Sequence, residues 1–592
     1  VHVIGDFNNW TIDNSFLMKK DPSKDRFWIE LTDLTPLSNH MYQYVVDAAI
    51  RVADPYSPIV LTESNDQFIN DTTYPDLPDY PSGKTNHNVT LLRTGDAPFN
   101  WEITDFESPE KNDLVIYELL IRDFDALHSF DAIKNRLDYL EELGINAIEF
   151  MPLNEFDGNE SWGYNPSFHM ALDKYYGTQN AFKSLIDECH KRGIAVIVDV
   201  VFNHASGQNP YYRLWNTDNG NYGGTASADS PFFNQEATHS YSVFNDFNHS
   251  KQATRDYVKR ISQFWIDEYN IDGYRWDLTK GFTQNCTPSN ESCTGSYQQD
   301  RVDVLKLYAD DQWDIKDNFY VIFEHLGGIT EENEWANYRI DEGKGIMLWN
   351  KPNNNGYSSA TSGNGSANFD QISYKTKGFS QGSSAVGYME SHDEERMMYR
   401  NITSTESNGD YKISELQTSL QRTETAGAFF FTVPGPKMIW QFGELGYDIS
   451  INEGGRTGNK PILWEYFDDP DRKALYDTWS ELIRLKLNQP IFKTTDFTMN
   501  TGASNGLKAI HLNLANAASE NIKHITIIGN FGLSAQSINP EFQQTGTWYN
   551  LLERNNPLSV TNTKTPITLE PGTFIIYGDK PFINPEDLDS DG

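Results

Sequence analysis

Short runs in which apolar and polar positions alternate, such as RFWIELTDL and HMYQYVVDA, fill residues 1–95 and are divided by Pro, Asn and Gly. A period of two turns one face of each strand toward a core, so this region predicts an N-terminal β-sandwich. The polar, Pro-rich stretch DTTYPDLPDYPSGKTNHN reads as a linker or a long loop. From about residue 113 the pattern changes: VIYELLIRDF, INAIEFMPL and IAVIVDVVF are apolar runs separated by amphipathic stretches such as SFDAIKNRLDYLEELG and NAFKSLIDECHKRG. In the first of these Ile133, Leu137 and Leu140 share a helical face, and Gly144 is placed to end the helix. IAVIVDVVF is apolar on both sides, as a parallel strand covered on both faces must be.

The βα alternation continues through GYRWDLT, FYVIFEHL, AVGYMESHD and PKMIWQF, so residues 96–489 predict a (β/α)8 TIM barrel or a doubly wound sheet. A segment of roughly 45 residues, about 205–250, interrupts it after the strand ending at His204, and insertions of that length tend to be functional. Short alternating runs return in LKAIHLNLA, HITIIGNF and TFIIYGD, predicting a C-terminal antiparallel β domain over 490–580. The Asp-rich end, 581–592, reads as an acidic linker or the start of a calcium-binding repeat.

Composition narrows the partners. A formal charge of −37 repels nucleic acid and acidic membrane surfaces, whereas a neutral glycan needs no steering. No apolar run reaches the length of a transmembrane helix. The chain opens inside a strand-like segment without Met, so an export signal outside it is expected, and with it a secreted or cell-surface place. The 14 Trp and 31 Tyr serve cores or sugar stacking; Trp10 and Trp28 are open to both uses. Of three cysteines, Cys189 continues the apolar spacing of Phe182, Leu185 and Ile186 and predicts a core thiol. Cys286 and Cys293 share a polar loop in which pairing and free thiols are both open. No zinc-type spacing occurs, and no organic cofactor is expected.

In a barrel, working groups sit at the C-terminal strand ends. Those ends hold Asp199, Asn203 and His204; Arg275 and Asp277; Glu324 and His325; and His392 and Asp393. Arg275 and Asp277 are two apart on a strand, so they face one way, and the guanidinium favours an ionised carboxylate suited to a nucleophile. Glu324 lies in an apolar strand, where burial favours the protonated form a general acid needs. Two such carboxyls are the equipment of a retaining glycosidase.

The segments DVVFNH (199–204), GYRWDLTKG (273–281), FEHLG (323–327) and ESHDEE (390–395) resemble, in order, the four short motifs of the α-amylase family, glycoside hydrolase family 13. The resemblance implies a TIM barrel with Asp277 as nucleophile, Glu324 as acid/base and Asp393 as transition-state stabiliser. It further implies that His204, Arg275 and His392 hold the central sugar and that Tyr164, in WGYNP, stacks on it. Lys280 would contact the sugar on the leaving side. Asn203 and Asp246 match positions that bind a structural Ca2+ in many α-amylases, although Gly281 stands where those enzymes usually carry His. VIGDFNNW with FWIEL and YQYVVD is similar to the family 48 starch-binding-like modules that precede branching and debranching members. The implied function is hydrolysis of α-1,4 bonds in starch, glycogen or maltooligosaccharides. The alternatives are α-1,6 debranching or branching, and a catalytically silent glucan-binding protein.

Overall fold

The computed structural model describes residues 1–582 apart from Asp25 and Lys351, so most of the acidic segment 581–592 lies outside the described residues. Eight parallel strands form a closed barrel: β1 (Val115–Leu119), β2 (Ala147–Phe150), β3 (Ala195–Val200), β4 (Gly273–Trp276), β5 (Tyr320–Phe323), β6 (Met347–Trp349), β7 (Ala385–Tyr388) and β8 (Lys437–Trp440). Each strand neighbours the strands before and after it in sequence, which selects the barrel over the doubly wound sheet. Every residue of the eight strands is buried, as a sheet filled inside and covered outside requires.

The contacts divide the chain into two compact units. The first holds residues 1–107, 120–135 and 149–332. In it β3 pairs with β4 and β4 with β5, setting Asp199 level with Arg275 and Arg275 level with Ile322. The helix Gln179–Lys191 lies between β2 and β3 and buries Phe182, Leu185, Ile186 and Cys189, the free core thiol expected from its spacing. The N-terminal strands His2–Gly5, Asn39–Val46, Ile50–Val52, Val60–Leu61 and Val89–Arg93 form one antiparallel sheet, with a hairpin of Lys19–Asp21 and Arg26–Trp28 beside it. Ile4, Trp10, Val45, Leu61, Val89 and Leu91 make its core. Trp10 is thus a packing residue, whereas Trp28 is 47% exposed, with Lys19 Nζ 4.7 Å from its ring centre.

The second unit holds 108–119, 136–148 and the chain from 333 onward. In it β6 pairs with β7, β7 with β8, and β8 with β1. The C-terminal strands form a six-stranded antiparallel sheet over Asp496–Gly578 around Trp548, Phe542 and Ile528. The stretch expected as one helix before Gly144 is two, Phe130–Lys134 and Leu137–Leu143, and Gly144 ends the second at φ 94°.

Candidate active site

The residues at the ends of β3, β4 and β5 converge on Arg275. Its side chain is fully buried, and Nη1 donates to Asp199 Oδ1 (3.0 Å), Asp199 Oδ2 (2.9 Å) and Asp277 Oδ1 (3.1 Å). Nη2 lies 3.5 Å from Glu324 Oε2. Burial works against the charge, but Asp199, Tyr164, Glu324 and Asp277 outweigh it and hold the guanidinium firmly protonated. One cation therefore faces the carboxylates of Asp199, Asp277 and Glu324 together. The alternation along β4 produces this directly, since Arg275 and Asp277 are two residues apart.

Glu324 has a second partner. The backbone N–H of Leu278 donates to Glu324 Oε2 at 2.8 Å, and Leu278 sits in the left-handed region at φ 47°. A leucine rarely adopts that conformation, so the turn after Asp277 holds local strain that aims this N–H at Glu324. Thr279 N–H donates to the Glu324 carbonyl (3.1 Å), and Thr279 Oγ1 does so at 3.0 Å. His325 points away into a structural cluster: Nε2 meets Glu331 Oε2 at 2.8 Å and Nδ1 meets Thr279 Oγ1 at 3.1 Å.

Tyr164 is placed by its hydroxyl, which donates to Asp199 Oδ2 at 2.6 Å, and its ring centre lies 6.0 Å from the Arg275 guanidinium carbon. His204 Nε2–H donates to the Tyr164 carbonyl (2.8 Å) while Nδ1 accepts from Asn203 Nδ2 (3.1 Å). Burial drives its pKa down to about 4, so the ring is a neutral donor at working pH. Lys280 sits on the loop after β4, its Nζ 4.9 Å from the Tyr241 ring centre.

In the second unit, His392 follows β7 and is held by Glu118 on β1. Glu118 Oε1 lies 2.6 Å from Nδ1, and Oε2 accepts the His392 backbone N–H at 3.2 Å. Trp349 and Trp440 flank the imidazole. Asp393 is half-buried; Arg456 Nη2 donates to its Oδ1 (2.9 Å) and to its carbonyl (2.8 Å), and Oδ2 lies 3.8 Å from His392 Nε2. Glu118, Leu278 N–H and Arg456 are working groups that the sequence reading passed over. Glu118 alone left a signal, an acid inside the apolar run VIYELL.

The Asn203–Asp246 pair is bound up in hydrogen bonds. Asp246 Oδ1 accepts from His239 Nε2 (2.9 Å), whose Nδ1 in turn accepts the Tyr241 N–H. Asp246 Oδ2 accepts from Asn234 Nδ2 (2.7 Å). Asn203 Oδ1 is buried and has no hydrogen-bond partner among the described residues. One spare amide oxygen and one carboxylate engaged by N–H donors are part of the six to eight oxygens Ca2+ takes, the remainder falling to main-chain carbonyls and water. Among the described residues no group of three or more His, Cys, Asp or Glu could hold a metal ion. Cys286 and Cys293 form a disulfide, which resolves the alternative left open for them.

A family profile described as the α-amylase catalytic domain matches residues 125–482. Among curated relatives, the malto-oligosyltrehalose trehalohydrolase of Saccharolobus solfataricus is 32% identical over 188 residues, covering 32% of this chain and 31% of the relative. Isoamylase 1 from chloroplasts of Arabidopsis thaliana is 28% identical over 283 residues, covering 41% of this chain and 33% of the relative. The matches thus span about a third of those relatives' length. Among solved structures, pullulanase type I from Bacillus subtilis with maltose gives a TM-score of 0.72 at 16% identity, over 95% of this chain and 80% of that one. The α-amylase from Geobacillus thermoleovorans with acarbose gives 0.62 at 16% identity, over 80% of this chain and 99% of that one. At these identities the structures share the fold.

Proposed function

The chain belongs to the α-amylase family, and from that premise we propose that it hydrolyses α-glucosidic bonds in glucans with retention of configuration. Asp277 attacks the anomeric carbon while Glu324 gives its proton to the leaving oxygen; a water deprotonated by Glu324 then breaks the glycosyl–Asp277 ester. The observation that carries this reading is Arg275, one buried cation touching both carboxylates. It keeps Asp277 charged for attack and steadies Glu324 when it is left as a carboxylate. Asp393 is assigned to the sugar hydroxyls and the developing positive charge, His392 and His204 to sugar hydroxyls as donors, and Tyr164 to a ring face. Comparing wild type with Asp277→Asn on soluble starch tests the assignment: equal release of reducing sugar from both would refute the nucleophile, and no release from wild type would favour a silent glucan-binding protein.

For the bond, we take α-1,4 as the main reading, supported by Lys280 after the nucleophile. A second reading, α-1,6 debranching, is supported equally by likeness to proteins named isoamylase and pullulanase. Product analysis on amylose, pullulan and a branched dextrin decides between them, and activity confined to pullulan would overturn the first. Secretion or cell-surface display is part of the proposal, supported by the Cys286–Cys293 disulfide, which belongs to an oxidising compartment. For Asn203 and Asp246 we propose the hydrogen-bond network in place of a structural Ca2+. Elemental analysis of the purified protein and melting with and without EDTA test this; stoichiometric calcium with an EDTA-lowered Tm would reverse it.

A further inference from the structure

The insertion that follows β3 carries a buried cation for which the hydrolytic mechanism has no use. Arg213 lies in its short helix Pro210–Leu214, which packs beside the N-terminal strand Ile50–Val52. Among the described residues four arginines are fully buried: Arg213, Arg275, Arg301 and Arg422. Arg275 pairs with Asp199, Asp277 and Glu324, and Arg301 pairs with Glu331. Arg422 has no acid but donates to the carbonyls of Ala360, Thr361, Phe531 and Gly532. Arg213 has far less. Its Nε donates to the Gly220 carbonyl at 2.8 Å, and its buried Nη2 has no hydrogen-bond partner among the described residues. The Tyr222 ring lies over the guanidinium, its centre 5.3 Å from Cζ.

A guanidinium stays charged at neutral pH, so its burial has to be answered by acceptors or by negative charge. Here burial pulls the Arg213 pKa down to about 10, and the groups that offset this are the phenols of Tyr222 and Tyr80. A second cation stands nearby. Arg51, partly exposed on the strand Ile50–Val52, has no ion pair or side-chain hydrogen bond among the described residues. The charges of Arg213 and Arg51 both act on Tyr80 and His87, and together with burial they press His87 down to about 4. His87, at φ 67°, takes the Tyr80 hydroxyl on its carbonyl at 2.6 Å, and its Nδ1 lies 3.0 Å from the Tyr222 hydroxyl. Glu63 acts on Tyr80 and Asp157 on Tyr222, but neither acid forms an ion pair with Arg51 or Arg213. Two arginines, an imidazole and two phenols thus gather without a carboxylate paired to them.

We propose that Arg213 and Arg51 hold a small inorganic anion, a halide or an oxyanion such as phosphate, between the insertion and the N-terminal sheet. Guanidinium N–H groups are the donors such an ion takes, and Arg213 sets one of them in a buried place where the interaction is strongest. The ion fastens two segments far apart in sequence and adds to stability by mass action. The site shares no residue with the carboxylates of the barrel, so it stands or falls apart from the glucan-hydrolase reading. Melting in sodium chloride, sodium phosphate and sodium gluconate at one ionic strength and pH 7 tests it. A formal charge of −37 repels anions over most of the surface, so a saturable response requires a local site. Wild type gains Tm in chloride or phosphate over gluconate, with the saturation of a single site, and the salt that acts tells halide from oxyanion. Arg51→Gln raises the half-saturating concentration about tenfold, the scale of one charge-assisted hydrogen bond. Arg213→Gln abolishes the gain; should that variant not fold, Arg51→Gln carries the test alone. Equal Tm in the three salts, an Arg51→Gln curve that superposes on wild type, or a full gain kept by Arg213→Gln would overturn the site.

Discussion

At the scale of single residues, buried side chains and backbone N–H groups set where the acidic side chains point. Glu324 takes the Leu278 N–H on Oε2, and as the proposed acid/base it carries the proton given to the leaving oxygen. Removing that proton separates two steps. Glu324→Gln slows starch cleavage by ~10²–10⁴-fold, because a sugar alkoxide departs poorly without an acid. A glycosyl fluoride departs without that help, so the first step survives while deglycosylation lacks its base. A burst of fluoride, with one glycosyl mass gained on the protein, is the expected result; no burst and no adduct would argue against a covalent intermediate. Gly281 is a second case. A Cβ there would lie 1.7 Å from Asn203 Oδ1 and 3.0 Å from His239 Cε1, which explains the departure from the family's usual His. Gly281→Ala costs about 1–3 kcal/mol through overpacking, read as a lower midpoint in urea. An unchanged midpoint would mean that the Asn203 loop yields freely.

Among elements, those that were legible in the sequence had long patterns. β3, apolar on both sides, and the Cys189 helix, with its 3–4 spacing, are where their periodicity places them. β6 is only Met347, Leu348 and Trp349, too short for any alternation to register, and it was missed. The single helix expected over SFDAIKNRLDYLEELG is two because Arg136, at φ −104° and ψ 1°, leaves the helical path, although Ile133, Leu137 and Leu140 all remain buried. Apolar spacing reports burial, and it is blind to a break that keeps burial intact. The Arg275–Asp277 contact was legible for a related reason: the two residues sit two apart at the end of one strand. Glu118 and Arg456 were not, because each meets its partner only through the fold, across sequence separations of 274 and 63 residues. The N-terminal hairpin carries its own prediction. Trp28 is exposed while Trp10 packs the core, so of the two only Trp28 offers a ring to solvent. Trp28→Ala weakens adsorption to starch granules several-fold and leaves short maltooligosaccharide turnover at the wild-type level. Equal adsorption of both proteins would assign Trp28 to the surface alone.

For the whole molecule, acid is the stress that its buried groups distribute in opposite directions. Burial lowers His169, His204 and His325 to about 4 and His249 to about 3. Between those values and 6.5 the unfolded chain binds protons that the folded chain refuses, so these four histidines withdraw stability as pH falls. Burial raises Glu424 and Glu444 to about 7 and Asp173 to about 6. There the folded chain takes up protons first, so these carboxyls return stability over the same interval. The net slope of Tm from pH 7 to pH 5 is a difference of two large terms, but each half can be removed singly. His249 is neutral by geometry, with Nε2–H donating to the Phe202 carbonyl at 3.0 Å and Nδ1 facing the Tyr308 hydroxyl at 2.9 Å. Replacing it with Gln, which has no charged form to refuse, makes Tm less sensitive to acid than in wild type. Glu424→Gln removes a group that gains protons on folding and makes Tm more sensitive. Calorimetry at pH 7, 6 and 5 reads both slopes against wild type. Slopes that moved the same way in the two variants would contradict this division, because a histidine with a depressed pKa and a carboxyl with a raised one act on stability with opposite sign.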